Sequence, residues 1–204
     1  MPTFAVTTVT NFNTRENYGR IARWLHWGTA MLFLLSYCAV YYRHWFTEKQ
    51  TPENLVALQL HLSAGISIAV IVILRIIWRN MNVQPELEPG PRWQQLLAHS
   101  AHYALYAVMI LMPLTGYIGT GVATEFFYLF QIPKFEDTWL FQTVVAGYLG
   151  MTFKQFEAPI DFFHKDIMGA WLVWILIVGH AAAAMYHHYV YKDRTLVKMT
   201  TGKQ

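Results

Sequence analysis

Four stretches of about 20 mostly apolar residues, the length that crosses a hydrocarbon core of about 30 Å, constrain this chain more than any other feature. They run from Trp24 to Tyr42, Leu55 to Trp78, Leu96 to about Gly119, and Ile167 to Val190. Inside lipid every backbone N–H and C=O needs an internal partner, so runs of this kind fold as helices. The expected fold is all-α: a four-helix transmembrane bundle forming a single membrane domain over 1–204, with spans at about 21–42, 55–78, 96–119 and 165–191. Pro113 lies inside the third span, where a membrane helix tolerates it at the cost of a kink. Charged residues make up 13% of the chain, against roughly 25% in a soluble domain. That balance excludes a disordered or nucleic-acid-coating protein, and membrane lipid is the expected solvent.

An even number of spans puts both termini on one side. Ten of the 15 Lys and Arg residues, among them Arg15, Arg20, Arg23, Arg75, Arg79, Arg92, Lys198 and Lys203, fall on the side of the termini and the 79–95 loop. The positive-inside bias therefore predicts cytoplasmic termini in a multi-pass protein of the bacterial inner membrane. The first 20 residues lack a continuous apolar core, so no signal peptide is expected. Between the third and fourth spans lies a long periplasmic insertion, 120–163. Its apolar segment Thr138 to Phe153, interrupted by Gln142 and two glycines, reads as an extra short helix at the interface rather than a fifth span.

Cys38 is the sole cysteine, which excludes a disulfide framework, a cysteine-rich zinc or iron–sulfur site and the attachment motif of c-type haem. Nine histidines remain, and an ionisable group inside a span is a functional hypothesis by default. His26, His99, His102 and His180 lie toward the cytoplasmic face; His61 and His164 lie toward the periplasm. Two layers of imidazole result, about 24 Å apart if His164 and His180 share one α-helix. Facing imidazoles from neighbouring helices fill both axial positions of a b-type haem, and two layers suit two haem b groups. Zinc or copper is the competing chemistry, although a structural zinc site needs four ligands in one compact tetrahedron. For His44, His99 and His188 the plainer reading is an interfacial anchor. Gly28, Gly65, Gly179 and the Ala181–Ala184 run leave room for a flat macrocycle, and equally for close helix packing.

The segments "RWLHW", "LQLHLSAGISIAVIVILRIIWR", "LAHSAHYALYAVMILMPLTG" and "GHAAAAMYHHYVYKDRTL" resemble, in order and across all four spans, the bacterial cytochrome b561 family of dihaem membrane proteins. Some members are superoxide:ubiquinone oxidoreductases, and related b-type subunits serve membrane hydrogenases and formate dehydrogenases. The resemblance implies that His26 and His180 ligate the cytoplasmic-side haem, and that His61 pairs with His164 around the periplasmic-side one. The family usually spaces its two fourth-helix ligands about 14 residues apart, whereas 16 residues here leave them about 160° out of phase on an ideal helix. Either His164 sits just before the helix, or a bulge restores the phase. His44, 18 residues from His26 and on the same helical face, stays open as the alternative ligand.

Seven residues beyond His180, His187 returns to within about 20° of the same face and can supply protons near neutral pH. The resemblance places it, with Trp24 and Arg23, at a ubiquinone site; His102 is a second candidate there or a structural hydrogen-bonding group. Lys165, Arg43 and Lys134 would attract a superoxide donor, but Glu136, Asp137, Glu157, Asp161 and Asp166 oppose them. Two functions stay open: a superoxide:ubiquinone oxidoreductase, or an electron-transfer anchor that receives electrons from a partner redox subunit.

Overall fold

The computed structural model describes residues 10–202; Lys203 and the first nine residues of the polar N-terminal stretch lie outside the described residues. Helix α1 spans Arg20–Phe46, α2 Pro52–Met81 and α3 Arg92–Ile118. A hairpin follows, of β1 Thr124–Phe126 and β2 Phe130–Ile132, then a 3-10 turn at Phe135–Asp137 and a π-helical stretch at Phe141–Tyr148. The last long helix runs unbroken through 153–191: α4 Phe153–Phe162, a π-helical run Phe163–Leu172, α5 Val173–Tyr186 and a π-helical end His187–Tyr191. The short α6, Thr195–Met199, closes the described chain.

Local sequence accounts for the helix ends. Thr51 caps α2 by accepting from the Asn54 N–H, with Pro52 in the first turn where its missing N–H costs nothing. Thr152 and Gln155 form a reciprocal capping box at the start of α4. The long helix stops at Lys192, whose left-handed φ of 55° turns the chain back.

Three helices are long and apolar enough to cross a membrane: Pro52–Met81, Arg92–Ile118 and Phe153–Tyr191. The expected first span lies within α1, which has the length, but His26, Thr29 and Ser36 and its Trp and Tyr side chains dilute the apolar run. One core nevertheless draws on four elements, with Phe33 of α1 against Ile68 and Val72 of α2, Val108 and Met109 of α3, and Val173 of α5. Small buried residues, Thr29, Ser36 and Ala39 on α1 and Ala57 and Ala64 on α2, let these two helices approach closely. The outward surface is rich in exposed apolar groups such as Met31, Leu34, Ile73, Leu96, Trp171 and Ile175, a surface suited to lipid rather than water.

At the end carrying the termini, hydrogen bonds clasp three segments together. Glu86 N–H donates to Arg15 O at 2.8 Å, and buried Lys198 donates to Glu86 O at 2.8 Å while pairing with Glu88 at 2.6 Å. Trp27 Nε1 reaches Met199 O at 3.0 Å. At the other end, Phe135, Phe141 and Val145 pack with Tyr117, Phe153 and Phe156 into a second apolar cluster. The hairpin hangs on α2: Glu125 N–H donates to Gln59 Oε1 at 2.7 Å and Phe127 N–H to Ser63 Oγ at 2.9 Å. Gln59 and Ser63 flank His61 in sequence, about 200° round the helix from it. The hairpin therefore lies at the depth of His61 but on another face of α2.

Candidate electron-transfer site

His61 projects from α2 between α1 and the long C-terminal helix. Its Nδ1 stands 2.8 Å from Ser36 Oγ and 3.2 Å from Ser36 O. A carbonyl only accepts, so Nδ1 carries the proton and Nε2 keeps its lone pair. The His164 ring stands 6.2 Å from it, centroid to centroid. Thr115 Oγ1 donates to Leu111 O at 2.6 Å and lies 3.0 Å from His164 Nδ1. With its hydrogen committed to Leu111, the hydroxyl accepts from His164, which again leaves Nε2 free. Gly116 makes room for this ring: an added Cβ would stand 3.0 Å from His164 Cε1.

The long helix removes the phase problem that the 16-residue spacing poses. His164 lies inside the continuous helix, not before it, and ten residues from Phe163 to Leu172 are π-helical. Hydrogen bonds that reach five residues back give about 4.4 residues per turn, or about 82° per residue instead of 100°. Eight such steps lie between His164 and Leu172 and subtract roughly 145°, which returns His164 to within about 20° of the face of His180. Gly169 allows the wide turn, since an added Cβ would come within 2.9 Å of His164 O. Tyr37 on α1 donates to Gly169 O at 2.9 Å.

Toward the termini a second group forms. The His26 and His180 rings stand 6.1 Å apart and the His102 ring 5.6 Å from His180. Arg75 Nη2 lies 3.4 Å from His26 Nδ1. Along α1, His26 and Ser36 mark the two levels, about 15 Å apart at 1.5 Å per residue. Among the described residues, no group of three or more His, Cys, Asp or Glu side chains is placed to hold a metal ion; the imidazoles meet as rings across a gap.

The family model for prokaryotic cytochrome b561 matches residues 17–202. The chain belongs to the prokaryotic cytochrome b561 family. It is 30% identical to "Cytochrome b561 homolog 1" of Escherichia coli (strain K12) over 190 residues, covering 90% of this chain and 97% of that protein. It is 29% identical to "Cytochrome b561 homolog 2" of the same organism over 203 residues, covering 92% and 93%. A "Probable superoxide oxidase CybB" of Yersinia pestis matches at 23% over 190 residues, covering 93% and 98%. Membership makes this a bacterial membrane protein of electron transfer, and the family implies b-type haem.

The ring spacing of both pairs suits that cytochrome cofactor. Imidazole nitrogens bind a transition metal at about 2.0 Å, so two opposed ligands put their ring centres about 6 Å apart. Beside His61, the half-buried Gly65 has nothing within 4 Å of where a Cβ would stand, an open slot one turn away along the same helix.

The other expected residues scatter. His44 is exposed and its ring meets Trp45, whereas the ring facing His61 is that of His164. Trp24 points outward, 78% exposed, and among the described residues no ring contact joins it to His187. Arg23 is buried at the start of α1. His187 Nδ1 pairs with Asp193, which the left-handed turn at Lys192 brings back toward it. Burial works to raise the Asp193 carboxyl, but hydrogen bonds from His187 and Thr195 outweigh it and hold the carboxyl below its ordinary value. Lys165 is paired with Asp161, and Lys134 with Glu136 and Asp137. Arg43 donates to the neutral Asn54 side chain at 3.1 Å. Asp193 and Arg75 were readable in outline, one in the quoted "YKDRTL" run and the other as a charge inside an apolar run. Ser36 and Thr115 carry no signal before the helices are packed.

Proposed function

We propose that this cytochrome holds two haem b groups in a four-helix transmembrane bundle of the inner membrane, with its termini in the cytoplasm, and passes single electrons from periplasmic superoxide to ubiquinone. The observation that carries this reading is the meeting of imidazoles in two layers, His61 with His164 and His26 with His180, at a spacing that fits an iron between each pair. Each pair of imidazoles would hold a haem b, which would supply single-electron exchange. Ser36 and Thr115 hold the rings of the outer pair in the ligating tautomer. Two superoxide anions leave as two molecules of dioxygen, and one ubiquinone becomes quinol by taking the two electrons and two protons. His187 donates a proton to the quinone oxygen, and Asp193 orients its ring. The 23% match to a probable superoxide oxidase supports the choice of donor.

The second reading, an anchor subunit fed by a partner redox protein, draws on the surface of the insertion. Lys134 and Lys165 are compensated by local carboxylates, which weakens any attraction for a small anion, while Trp139, Tyr148 and Leu149 are exposed. The test is an optical spectrum of the purified protein followed by superoxide addition. Dithionite should produce a sharp low-spin b-haem band with two haems per chain, and superoxide alone should reduce it, with reoxidation by a ubiquinone analogue. Absence of the band ends the haem reading; a band that superoxide leaves unreduced favours the anchor.

A further inference from the structure

Between Leu55 and Trp78, Arg75 is the only charged residue, and a guanidinium at that depth is costly unless it meets a partner inside the bundle. It lies 14 residues beyond His61, within about 40° of the same helical face and about 21 Å further along. Its guanidinium touches His26 Nδ1 at 3.4 Å and Met109 Sδ at 3.7 Å, and lies 5.5 Å from the centre of the Tyr106 ring. Arg79 stands over the same ring at 5.9 Å. These neighbours are neutral or positive. Among the described residues, no ion pair within 4.0 Å involves Arg75.

The contact with His26 is itself incompatible with ligation. A guanidinium only donates, so His26 Nδ1 must offer a lone pair, and the neutral ring then carries its proton on Nε2. A ligating His26 needs the reverse: a lone pair on Nε2 and a proton on Nδ1. One neutral imidazole cannot satisfy both. Once His26 is an axial ligand, Arg75 faces an N–H there and keeps only neutral acceptors, the Tyr106 side chain and Met109 Sδ, so its charge still has no anionic partner. Haem b carries two carboxylate side chains, and arginine matches a carboxylate with two parallel hydrogen bonds.

We propose that Arg75 binds a carboxylate side chain of the haem held by His26 and His180, with Arg79 as a second positive group at the same rim. This rests on the reading that His26 and His180 hold a haem. A fixed positive charge there favours the reduced iron, which carries one positive charge fewer, and so raises the potential of that haem alone.

The test uses purified holoprotein of the wild type, Arg75→Gln, Arg75→Lys and His26→Ala. Haem content, a redox titration resolving the two haems and the resonance Raman bending bands of the haem carboxylates are measured. In Arg75→Gln one haem should shift by roughly tenfold in its oxidised-to-reduced ratio, about 59 mV for a one-electron couple, toward lower potential. Its carboxylate band should move, the other haem should stay unchanged, and Arg75→Lys should recover most of the shift. Loss of one haem in Arg75→Gln with retention in Arg75→Lys supports the proposal equally. Two haems with unchanged potentials and bands in Arg75→Gln overturn it, as does equal loss of haem in Gln and Lys variants. If instead His26→Ala keeps both haems low-spin, the ligand assignment beneath the proposal has failed, a result separate from any of these.

Discussion

His61 and His164 each commit Nδ1 to a group on a neighbouring helix, which leaves Nε2 free on both, the tautomer the proposed haem ligation needs. Ser36→Ala removes one of the two acceptors around His61, and an outer-sphere loss of this kind lowers metal affinity by about 10- to 100-fold. Haem content at limiting haem supply should show that loss in one of the two sites. His164→Ala should lose a haem outright and His44→Ala should lose none; a pyridine haemochrome assay giving equal haem in both variants would contradict the assignment. Asp193 gives a pH dependence. Its carboxyl titrates below the ordinary carboxylate range, so the pairing with His187 stabilises the fold fully above that range, and the contribution disappears as pH falls through the lowered value. Tryptic cleavage at Lys192 and Arg194 after brief acid exposure should therefore rise in the wild type at low pH. Asp193→Asn should be cleaved readily already at neutral pH and lack the acid transition.

The final long helix is the element on which the site depends most. Its wide run between Phe163 and Leu172 was one of two options left open by the 16-residue spacing, because sequence periodicity measures angle on an assumed 100° step and cannot show where the step changes. The quoted segments and the apolar runs made helices α2 and α3 legible, but the span expected from Leu55 missed the Thr51 cap and the Pro52 start. They did not reveal that the C-terminal helix begins at Phe153, since Glu157, Pro159 and Asp161 break the apolar pattern there. Gly169→Ala places a Cβ 2.9 Å from His164 O, a backbone atom that cannot move away alone, and should cost about 1–3 kcal/mol together with the haem beside His164. Deleting two residues from the wide run returns the spacing to 14 and lets ordinary α-helix serve. That variant should keep two haems per chain; loss of the His164 haem on deletion would show that the wide turns do more than correct phase.

At the scale of the whole molecule, charge and orientation decide what the two layers of imidazole can be used for. Of the three basic residues expected to attract an anionic donor, two have nearby carboxylates and Arg43 bonds only a neutral amide among its described partners. If superoxide is the donor, Arg43→Gln should slow haem reduction severalfold and flatten its dependence on ionic strength, while Lys134→Gln changes little. Stopped-flow traces at low and high salt provide the comparison. Reporter fusions at the two ends should both read as cytoplasmic, a direct check on the ten-to-five division of basic residues. The π-helical run also links the two layers mechanically. Each residue that passes from a wide turn to an ordinary one rotates everything on the far side by about 18°. Under the proposed dihaem reading the helix would act as a vernier, setting the angle between the His164 and His180 rings in small steps without gaining or losing a residue.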